Sequence, residues 1–349
     1  MTNDQLRIID ANINRLGEGL RILEEFARMT LNDVTLTQKL KNIRHKTIVV
    51  DTKLQKRLLQ ARDAGRDVGS SMDVNDEEKS RDIAGIITAN AKRVQESLRV
   101  LEEMAKNPEL NLNTENYRKM RFELYTIEKE LTGRILRKDK VAQIAGLYAV
   151  IDTEWLKGNK PTKIAEQIIK GGAKIIQLRC KQCSSQEFLA IAKDLKETCL
   201  KKGVLFIIND SLEVALAVGA DGLHVGQDDM PVAEARKLMP IDMILGCSVS
   251  TVAEAIKAKE DGADYLGVGA IFATETKESA QVVGVKRIEE IKQAVDLPIV
   301  AIGGINRENL SEVMKAGADA AAIISAIMGA ADIEKATREL VNIIKRTKK

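Results

Sequence analysis

Apolar and polar residues alternate on different length scales in the two parts of this chain. From residue 141 to residue 349, short and almost continuously apolar runs are separated by longer amphipathic stretches. Such runs are typical of parallel strands covered on both faces, and stretches such as TVAEAIKAKEDGAD (251–264) are typical of crossover helices ending in a Gly-Ala-Asp turn. The apolar runs are LYAVI (147–151), IIQLR (175–179), LFIIND (205–210), GLHVG (222–226), MILGCS (243–248), YLGVGA (265–270), PIVAIGG (298–304) and AAAIISA (320–326).

The number and spacing of these runs indicate the fold class. Eight strand–helix units in about 210 residues predict a TIM (β/α)8 barrel. A doubly wound open sheet is the competing topology, but it more often has fewer strands and a glycine-rich turn after the first one. Residues 149–153 contain no such turn. We therefore expect an α/β domain with a TIM barrel over residues 141–349.

Residues 1–140 show a helical pattern without strand signals and contain an internal repeat at an offset of 78 residues. The stretch DANINRLGEGLRILEEFA (10–27) matches TANAKRVQESLRVLEEMA (88–105) at ten positions, and KNIR (41–44) matches RKMR (118–121) more weakly. Each copy predicts a helical hairpin, and two hairpins predict a small pseudo-symmetric bundle. The first domain is thus expected to be all-α and built from a duplicated hairpin.

The repeat preserves polar identities as well as apolar ones. The matched polar residues that we consider as candidate site residues are Asn12, Arg15, Glu18 and Arg21 in the first copy and Asn90, Arg93, Glu96 and Arg99 in the second. A core keeps its function with any suitable apolar residue, whereas matched Asn, Arg and Glu identities suggest a chemical requirement. A solvated surface of charge pairs and a recent duplication are the alternative explanations. Residues 62–80 are rich in Gly, Ser and Asp, which predicts a loop that is either a linker or a cover over a site.

Composition narrows the classes of partner. The net charge is only +3 and aromatic residues make up 3%, which argues against a nucleic-acid-binding surface. The N-terminus lacks the design of a signal peptide, and no apolar run approaches the roughly 20 residues that span a bilayer. We expect a cytoplasmic enzyme with small-molecule substrates, without a nucleic-acid or membrane partner, and with a homo-oligomer left open.

The four cysteines, Cys180, Cys183, Cys199 and Cys247, all follow residue 140. They are too few and too unevenly placed for a disulfide framework, so we expect reduced thiols.

The motif Cys180-x-x-Cys183 could belong to a redox or zinc site, or the cations Arg179 and Lys181 beside and within it could carry the chemistry. A zinc site needs two further ligands, but the chain has only two histidines and no second Cys-x-x-Cys. His224 lies inside an apolar run and is expected to be a hydrogen-bonded interior residue. The cations are therefore the better candidates.

Polar residues close each apolar run, and in a TIM barrel the ends of the strands carry the reactive groups. In chain order they are Gln177, Arg179, Lys181, Asn209, Asp210, Gln227, Asp228, Asp229, Ser248, Ser250, Thr274, Thr276, Lys277, Gly303, Gly304 and Ser325. Carboxylates that hold Mg²⁺, together with cations and uncharged donors, suit a polyphosphate ligand. The pairs Gly303-Gly304 and Ile324-Ser325, the latter opening the final helix, suit a second phosphate site, although a Gly-Gly can also mark a simple tight turn.

These motifs together resemble the thiamine phosphate synthase family. The resemblance extends over nearly all of residues 145–330 and includes QLRCK (177–181), GLHVGQDD (222–229) and GAIFATETK (269–277). It implies condensation of hydroxymethylpyrimidine diphosphate with thiazole phosphate, which releases pyrophosphate. The implied roles are Mg²⁺ ligands for Asp210 and Asp229; pyrophosphate contacts for Arg179, Lys181, Asn209, Ser248 and Lys277; a pyrimidine contact for Gln177; and thiazole or thiazole-phosphate contacts for Thr274, Thr276, Gly304, Ile324 and Ser325.

The sequence departs from the family pattern at a few positions. Cys180 replaces a residue that is commonly acidic, and Ala270 and Ala273 stand where prolines are frequent. The same fold also hosts a thiazole tautomerase, which has no need for pyrophosphate ligands. The retained cations and carboxylates favour the synthase, with a dissociative departure of pyrophosphate that requires no general base.

The N-terminal repeat resembles a helical domain fused ahead of thiamine phosphate synthase in some bacteria. The A-N-x-x-R-x-x-E-x-L-R-x-x-E-E pattern and the loop Asp67-Val68-Gly69 carry this resemblance, which covers about residues 5–135. It implies a hydroxymethylpyrimidine phosphate kinase that uses ATP. A non-catalytic structural or oligomerising extension is the alternative.

Overall fold

The computed structural model divides into two compact units, Met1–Leu136 and Arg137–Lys349. The division lies four residues before the boundary expected at residue 140. The structure describes residues 1–48, 52–63, 65, 81–110, 112–274 and 281–347. Among these residues, no helix combines the length and the apolar character needed to span a bilayer.

The regular secondary structure among the described residues of the first unit is entirely helical. Its helices are α1 (Asn3–Glu25), continued by a π-helical turn (Phe26–Thr30), α2 (Val34–Ile48), α3 (Thr52–Ala61), α4 (Ile83–Met104) and α5 (Thr114–Ala142), whose last residues belong to the second unit. A capping box between Thr2 and Gln5 begins α1. The two predicted hairpins therefore correspond to α1–α2 and α4–α5, with the short α3 as an additional element.

The two copies of the repeat pack against each other through α1 and α4. Leu16, Leu20 and Leu23 on α1 are fully buried in the same core as Leu98 and Leu101 on α4. Gly19 marks a close approach, because a Cβ there would lie 2.6 Å from the side chain of Val94. The predicted apolar stripe is thus the core of the first unit.

Each hairpin also contains the same interhelical ion pair. Glu24 on α1 is bound by Arg44 on α2 at 2.9 Å, and Glu102 on α4 is bound by Arg121 on α5 at 3.0 Å. Glu24 and Glu102 are matched positions of the repeat, and both carboxylates are almost completely buried. These ion pairs hold the two helices of each hairpin together, and this structural role explains the matched glutamates Glu24 and Glu102.

The second unit is the predicted TIM barrel. Parallel strands pair in sequence order and close β8 onto β1. The strands are β1 (Gly146–Asp152), β2 (Ile175–Arg179), β3 (Leu205–Asn209), β4 (Gly222–Val225), β5 (Ile244–Val249), β6 (Tyr265–Val268), β7 (Ile299–Ile302) and β8 (Ala320–Ile323). Every predicted apolar run contributes a strand, so the prediction of an eight-stranded barrel is confirmed.

Helices surround the barrel and bury its outer face. They are α6 (Pro161–Gly171), α7 (Ser185–Lys202), α8 (Leu212–Val218), α9 (Val232–Leu238), α10 (Val252–Glu260), α11 (Lys286–Ala294), α12 (Leu310–Lys315), α13 (Ser325–Met328) and α14 (Ile333–Thr347). Alternate strand residues point to the helices or into the barrel, where side chains including Val150, Ile207 and Ile244 form a separate interior core. Ser325 begins a single-turn helix, and α14 rather than α13 is the final helix, contrary to expectation.

The predicted Gly-Ala-Asp turns lie at the N-terminal end of the barrel and have a common function. Each aspartate accepts a backbone N–H from another strand and pairs with a cation on a neighbouring helix. The groups are Asp221 with Phe206 N–H and Lys196, Asp264 with Leu245 N–H and Arg236, and Asp319 with Ile299 N–H and Lys292. These carboxylates stabilise the end of the barrel opposite the strand ends that carry the candidate site.

We predict that Asp264→Asn destabilises the barrel much more than Asp319→Asn. The Asp264 carboxylate is only 10% exposed and also binds Arg137, so its loss leaves two arginines poorly compensated and costs about 3 kcal/mol. The Asp319 side chain is 34% exposed, so its pair contributes less than about 1 kcal/mol. The single tryptophan, Trp155, lies in the second unit and reports barrel unfolding in urea by fluorescence. Equal losses in the two variants would contradict this account.

Candidate active site

A cavity of about 460 Å³ opens at the C-terminal ends of the strands. It is lined by eleven of the thirteen residues predicted for the barrel site: Gln177, Arg179, Lys181, Asn209, Asp210, Asp229, Ser248, Thr274, Gly304, Ile324 and Ser325. The other two, Thr276 and Lys277, lie outside the described residues. The barrel therefore brings residues from distant parts of the sequence into one pocket.

Two carboxyl groups, Asp210 and Asp229, form the acidic part of the pocket. Asp210 follows β3 with a positive φ of 65°, and its N–H donates to the carbonyl of His224 at 2.8 Å. Asp229 accepts the N–H of Gly226 at 2.7 Å, which fixes its loop. Burial raises the pKa of Asp210, and the hydrogen bond with Asp229 raises it further. The two acids therefore compete to ionise and favour a shared proton or a bound cation.

The cations of the pocket are each held by a carboxylate. Lys181 forms an ion pair with Asp210. Arg179 forms one with Asp152, whose side chain is completely buried. Asp152 lies opposite Arg179 in the register of β1 and β2, so it fixes the guanidinium at the rim. Asp152 is not among the predicted site residues because its role depends on strand pairing, although a carboxylate closing the first apolar run was a usable signal.

A chain of hydrogen bonds crosses the interior of the barrel beneath the pocket. Gln177 Nε2 donates to Tyr148 Oη at 2.9 Å, and this hydroxyl lies 2.9 Å from Tyr265 Oη. Tyr265 Oη lies 3.1 Å from His224 Nδ1, and His224 Nε2 lies 3.0 Å from Ser248 Oγ. The chain therefore links two predicted ligand-binding residues, Gln177 and Ser248, through three side chains that sequence analysis did not assign to the site.

This hydrogen-bond chain carries no charge at neutral pH. Burial lowers the pKa of His224 to about 4, and it raises the pKa of the Tyr265 hydroxyl well above its ordinary value. Two glycines make room for these rings, since a Cβ on Gly246 would lie 2.1 Å from Tyr265 and one on Gly267 would lie 2.8 Å from His224. The expectation that His224 is a hydrogen-bonded interior residue is confirmed.

The glycine pair after β7 has a conformation that other residues would strain. Gly303 and Gly304 have φ values of 102° and 63°. A Cβ on Gly304 would lie 2.4 Å from the carbonyl oxygen of Ala273, and Asn309 binds the Gly304 carbonyl at 2.9 Å. The turn therefore needs glycine, and it brings the backbone to the pocket wall.

Two of the four cysteines form a close pair. The Cα atoms of Cys180 and Cys183 are 5.7 Å apart, within the range that a disulfide requires. This pair can therefore exist as a disulfide, and the expectation that its thiols are reduced stays a prediction. Cys199 and Cys247 are free, as expected, and both are buried.

The repeated asparagines of the first unit have a local structural use. Asn12 and Asn90 are buried, and each side-chain amide donates to a carbonyl one turn earlier in its own helix, at 2.8 Å. These contacts occur at matched positions of the repeat. The structure therefore explains both asparagines without a ligand.

The charged candidates of the first unit fall into two groups. Arg21 pairs with Glu24 and Glu25, and Arg99 pairs in the same way with the matched glutamates of the second copy. The second group, Arg15, Glu18, Arg93 and Glu96, is exposed. The loop Asp67–Gly69 lies outside the described residues. The ion pairs therefore give Arg21 and Arg99 a structural role, whereas the described contacts provide no such role for the second group.

Two different family models match the two units. The model described as thiamine monophosphate synthase matches residues 147–327, and the model described as ThiD2 family matches residues 7–130. The division between the two matches agrees with the division into units.

Some similar proteins align with nearly the whole chain, and another aligns with little more than half of it. A thiamine-phosphate synthase of Gloeobacter violaceus is 38% identical over 95% of this chain and 94% of its own length, and that of Thermosynechococcus vestitus is 36% identical over 96% and 93%. A thiamine-phosphate synthase of Clostridium tetani is 48% identical over 56% of this chain and 93% of its own length. The solved thiamine phosphate pyrophosphorylase from Pyrococcus furiosus superposes with a TM-score of 0.55 and 39% identity, covering 59% of this chain and 98% of that structure.

We predict that His224 stays neutral across the working pH range. The chain has two histidines, so a His45→Gln variant leaves His224 as the only imidazole in the NMR spectrum. Because burial lowers the pKa of His224 to about 4, its ring resonances should not change between about pH 5.5 and pH 8. A titration midpoint near the ordinary histidine value of about 6.5 would contradict the uncharged hydrogen-bond chain.

Proposed function

We infer the roles of the pocket residues from one premise: the chain belongs to the thiamine monophosphate synthase family. It acts in thiamine biosynthesis as a transferase that joins hydroxymethylpyrimidine diphosphate to thiazole phosphate, and the products are thiamine phosphate and pyrophosphate. The observation that supports the residue roles is the convergence of an acid pair, two cations and several uncharged donors on one cavity.

Arg179, Lys181, Asn209 and Ser248 are the proposed contacts of the pyrophosphate group. Their donors lie along the ends of β2, β3 and β5, so they surround one part of the pocket. Positive charge and hydrogen-bond donors fixed before the reaction stabilise the negative charge that develops on the departing pyrophosphate. Lys277 is proposed for the same role from the family resemblance, and it lies outside the described residues.

The residues of the pocket fit a magnesium ion. Among the described residues, no group of three or more histidine, cysteine or acidic side chains could hold a metal. Mg²⁺, however, commonly uses one or two carboxylates and completes its octahedral shell with water and phosphate oxygens. Asp210 and Asp229 supply such a pair, and a divalent cation would offset the burial and the interaction with Asp229 that raise the pKa of Asp210. When bound, the ion neutralises charge on the phosphate oxygens.

Gln177 is the proposed contact of the aminopyrimidine. Its amide nitrogen is held by Tyr148, so the side-chain carbonyl is left to face the ligand. The surrounding hydrogen-bond chain is uncharged because His224 is neutral. It therefore does not repel a pyrimidinylmethyl cation that develops beside it. Positioning and charge stabilisation, rather than removal of a proton by a base, are therefore the proposed source of catalysis.

The thiazole phosphate is proposed to bind on the opposite wall of the pocket. The backbone at Gly304, Ile324 and Ser325 lines that wall, and Thr274 lies on the loop after β6. Thr276 is assigned to the same ligand by the resemblance alone. A ligand can approach the backbone closely at Gly304 because this residue has no side chain. A side chain there would also clash with the carbonyl oxygen of Ala273.

Asp229→Asn should reduce the rate by at least about a hundredfold and raise the Mg²⁺ concentration needed for half-maximal activity. The amide removes one charged ligand at the position where charge develops in the reaction. The measurement is pyrophosphate release from both substrates at several Mg²⁺ concentrations. Asp194→Asn is the control, because Asp194 is an exposed carboxylate on α7 that does not line the cavity. An unchanged rate in Asp229→Asn would remove Asp229 from the metal site.

We propose that the first unit phosphorylates hydroxymethylpyrimidine phosphate with ATP and so produces the substrate of the barrel. The ThiD2 family match and the full-length relatives support this proposal. Arg15 and Arg93 are the preferred phosphate contacts, since Arg21 and Arg99 are engaged by buried glutamates. Glu18, beside Gly19, and Glu96 are the proposed orienting residues.

The full chain, given ATP, Mg²⁺ and hydroxymethylpyrimidine phosphate without thiazole phosphate, should form the diphosphate. Arg15→Gln combined with Arg93→Gln should lower this rate at least about tenfold, because phosphoryl transfer depends mainly on positioning and charge neutralisation. The control is Arg28→Gln with Lys106→Gln, which removes two exposed cations at matched positions. If the full chain makes thiamine phosphate but never the diphosphate, the first unit is a structural extension.

A further inference from the structure

The close pair Cys180 and Cys183 brackets a residue of the proposed pyrophosphate site. Their Cα atoms are 5.7 Å apart, and Lys181 lies between the two cysteines, in the connection from β2 to α7. Its ammonium group pairs with Asp210 across the pocket. The two ends of this short connection are fixed, since Arg179 ends β2 and Ser184 caps α7 by accepting the N–H of Glu187 at 3.2 Å. A disulfide formed by this pair would therefore constrain the segment that positions Lys181.

We propose that Cys180 and Cys183 form a reversible thiol–disulfide site that controls how firmly Lys181 is held in the pocket. The oxidised pair restricts the backbone of residues 180–183 and keeps the ammonium group beside Asp210. The reduced pair releases that restriction. This inference rests on the proposed role of Lys181 as a pyrophosphate contact.

The surroundings of the two sulfur atoms link them to the other cation of the site. Thr153 Oγ1 lies 3.4 Å from Cys180 Sγ and 3.7 Å from Cys183 Sγ. Thr153 directly follows Asp152, the buried carboxylate that holds Arg179. The cysteine pair thus lies against the end of β1, and both cysteines are only partly buried, so a small reagent can approach them.

The chemistry of the exchange balances with a small disulfide as the oxidant. The thiolate of one cysteine attacks a low-molecular-weight disulfide, forming a mixed disulfide and releasing one thiol. The second cysteine then attacks its neighbour's sulfur, forming the Cys180–Cys183 bond and releasing the second thiol. Two protein thiols are oxidised while one external disulfide is reduced to two thiols, and a dithiol reductant reverses both steps.

The other two cysteines provide an internal contrast. Cys199 and Cys247 are 0% and 3% exposed. Burial raises the pKa of Cys199 to about 12 and that of Cys247 to about 11, so neither forms an appreciable amount of the reactive thiolate. Oxidation by a small disulfide is therefore expected at the Cys180–Cys183 pair alone.

Oxidation should change the kinetic constants for one substrate and leave those for the other unchanged. Holding a flexible lysine before binding removes an ordering cost, and the immobilisation of one side chain corresponds to about a three- to tenfold change in binding. We expect kcat/KM for the pyrimidine diphosphate to be three- to tenfold higher in the oxidised protein. The KM for thiazole phosphate should not change, because its proposed contacts at Gly304, Ile324 and Ser325 lie on another wall.

The test compares the full chain after treatment with oxidised glutathione and after treatment with a dithiol reductant. Intact mass without reductant should show the loss of two hydrogens, and a Cys183→Ser variant should instead retain one glutathione adduct. Steady-state rates of thiamine phosphate formation then give kcat/KM for each substrate in both states. An adduct that persists on the wild-type chain, or reduced-state rates equal to oxidised-state rates, would overturn the proposal.

Two variants separate this inference from the proposed function. Cys180→Ser with Cys183→Ser should be active, should match the reduced wild type and should not respond to glutathione. Lys181→Gln should still form the disulfide but should lose the difference between redox states. Absence of activity in both the oxidised and the reduced wild type would instead count against the proposed roles of the pocket residues.

Discussion

The hydrogen-bonded contact between the carboxyl groups of Asp210 and Asp229 is the constraint on which the rest of the pocket depends. Two like charges about 4 Å apart repel by roughly 4 kcal/mol at an effective dielectric constant of about 20, so such a pair needs a proton or a cation. Lys181 supplies part of that positive charge. The barrel imposes the contact by ending β3 and β4 side by side, and the pocket is thereby suited to bind a metal and an anion together.

Beneath this charged rim, the interior of the barrel is polar but neutral. Tyr148, Tyr265 and His224 satisfy one another, and they hold Gln177 and Ser248 in fixed orientations. A buried polar group without a partner is costly, whereas a fully satisfied chain rigidifies the site. Charge is thus concentrated where pyrophosphate is proposed to leave, and it is kept away from the wall proposed for the pyrimidine.

The sequence predicted the barrel because continuous apolar runs and amphipathic helices are local patterns. It also predicted the pocket residues that close those runs, since parallel strands end at one rim. It could not predict Asp152, whose function depends on its register with Arg179, or the tyrosines that point into the barrel. Nor did it separate the arginines of the first unit, because the buried pair of Glu24 with Arg44 depends on tertiary packing.

The binding of inorganic pyrophosphate to the full chain tests the central claim most directly, because it needs neither turnover nor the second substrate. If Asp210, Asp229 and the neighbouring cations form one site for a metal and an anion, titration calorimetry should show at least about tenfold tighter binding with Mg²⁺ than without it. This gain should vanish in Asp210→Asn. Pyrophosphate binding of equal affinity with and without Mg²⁺ would contradict the account.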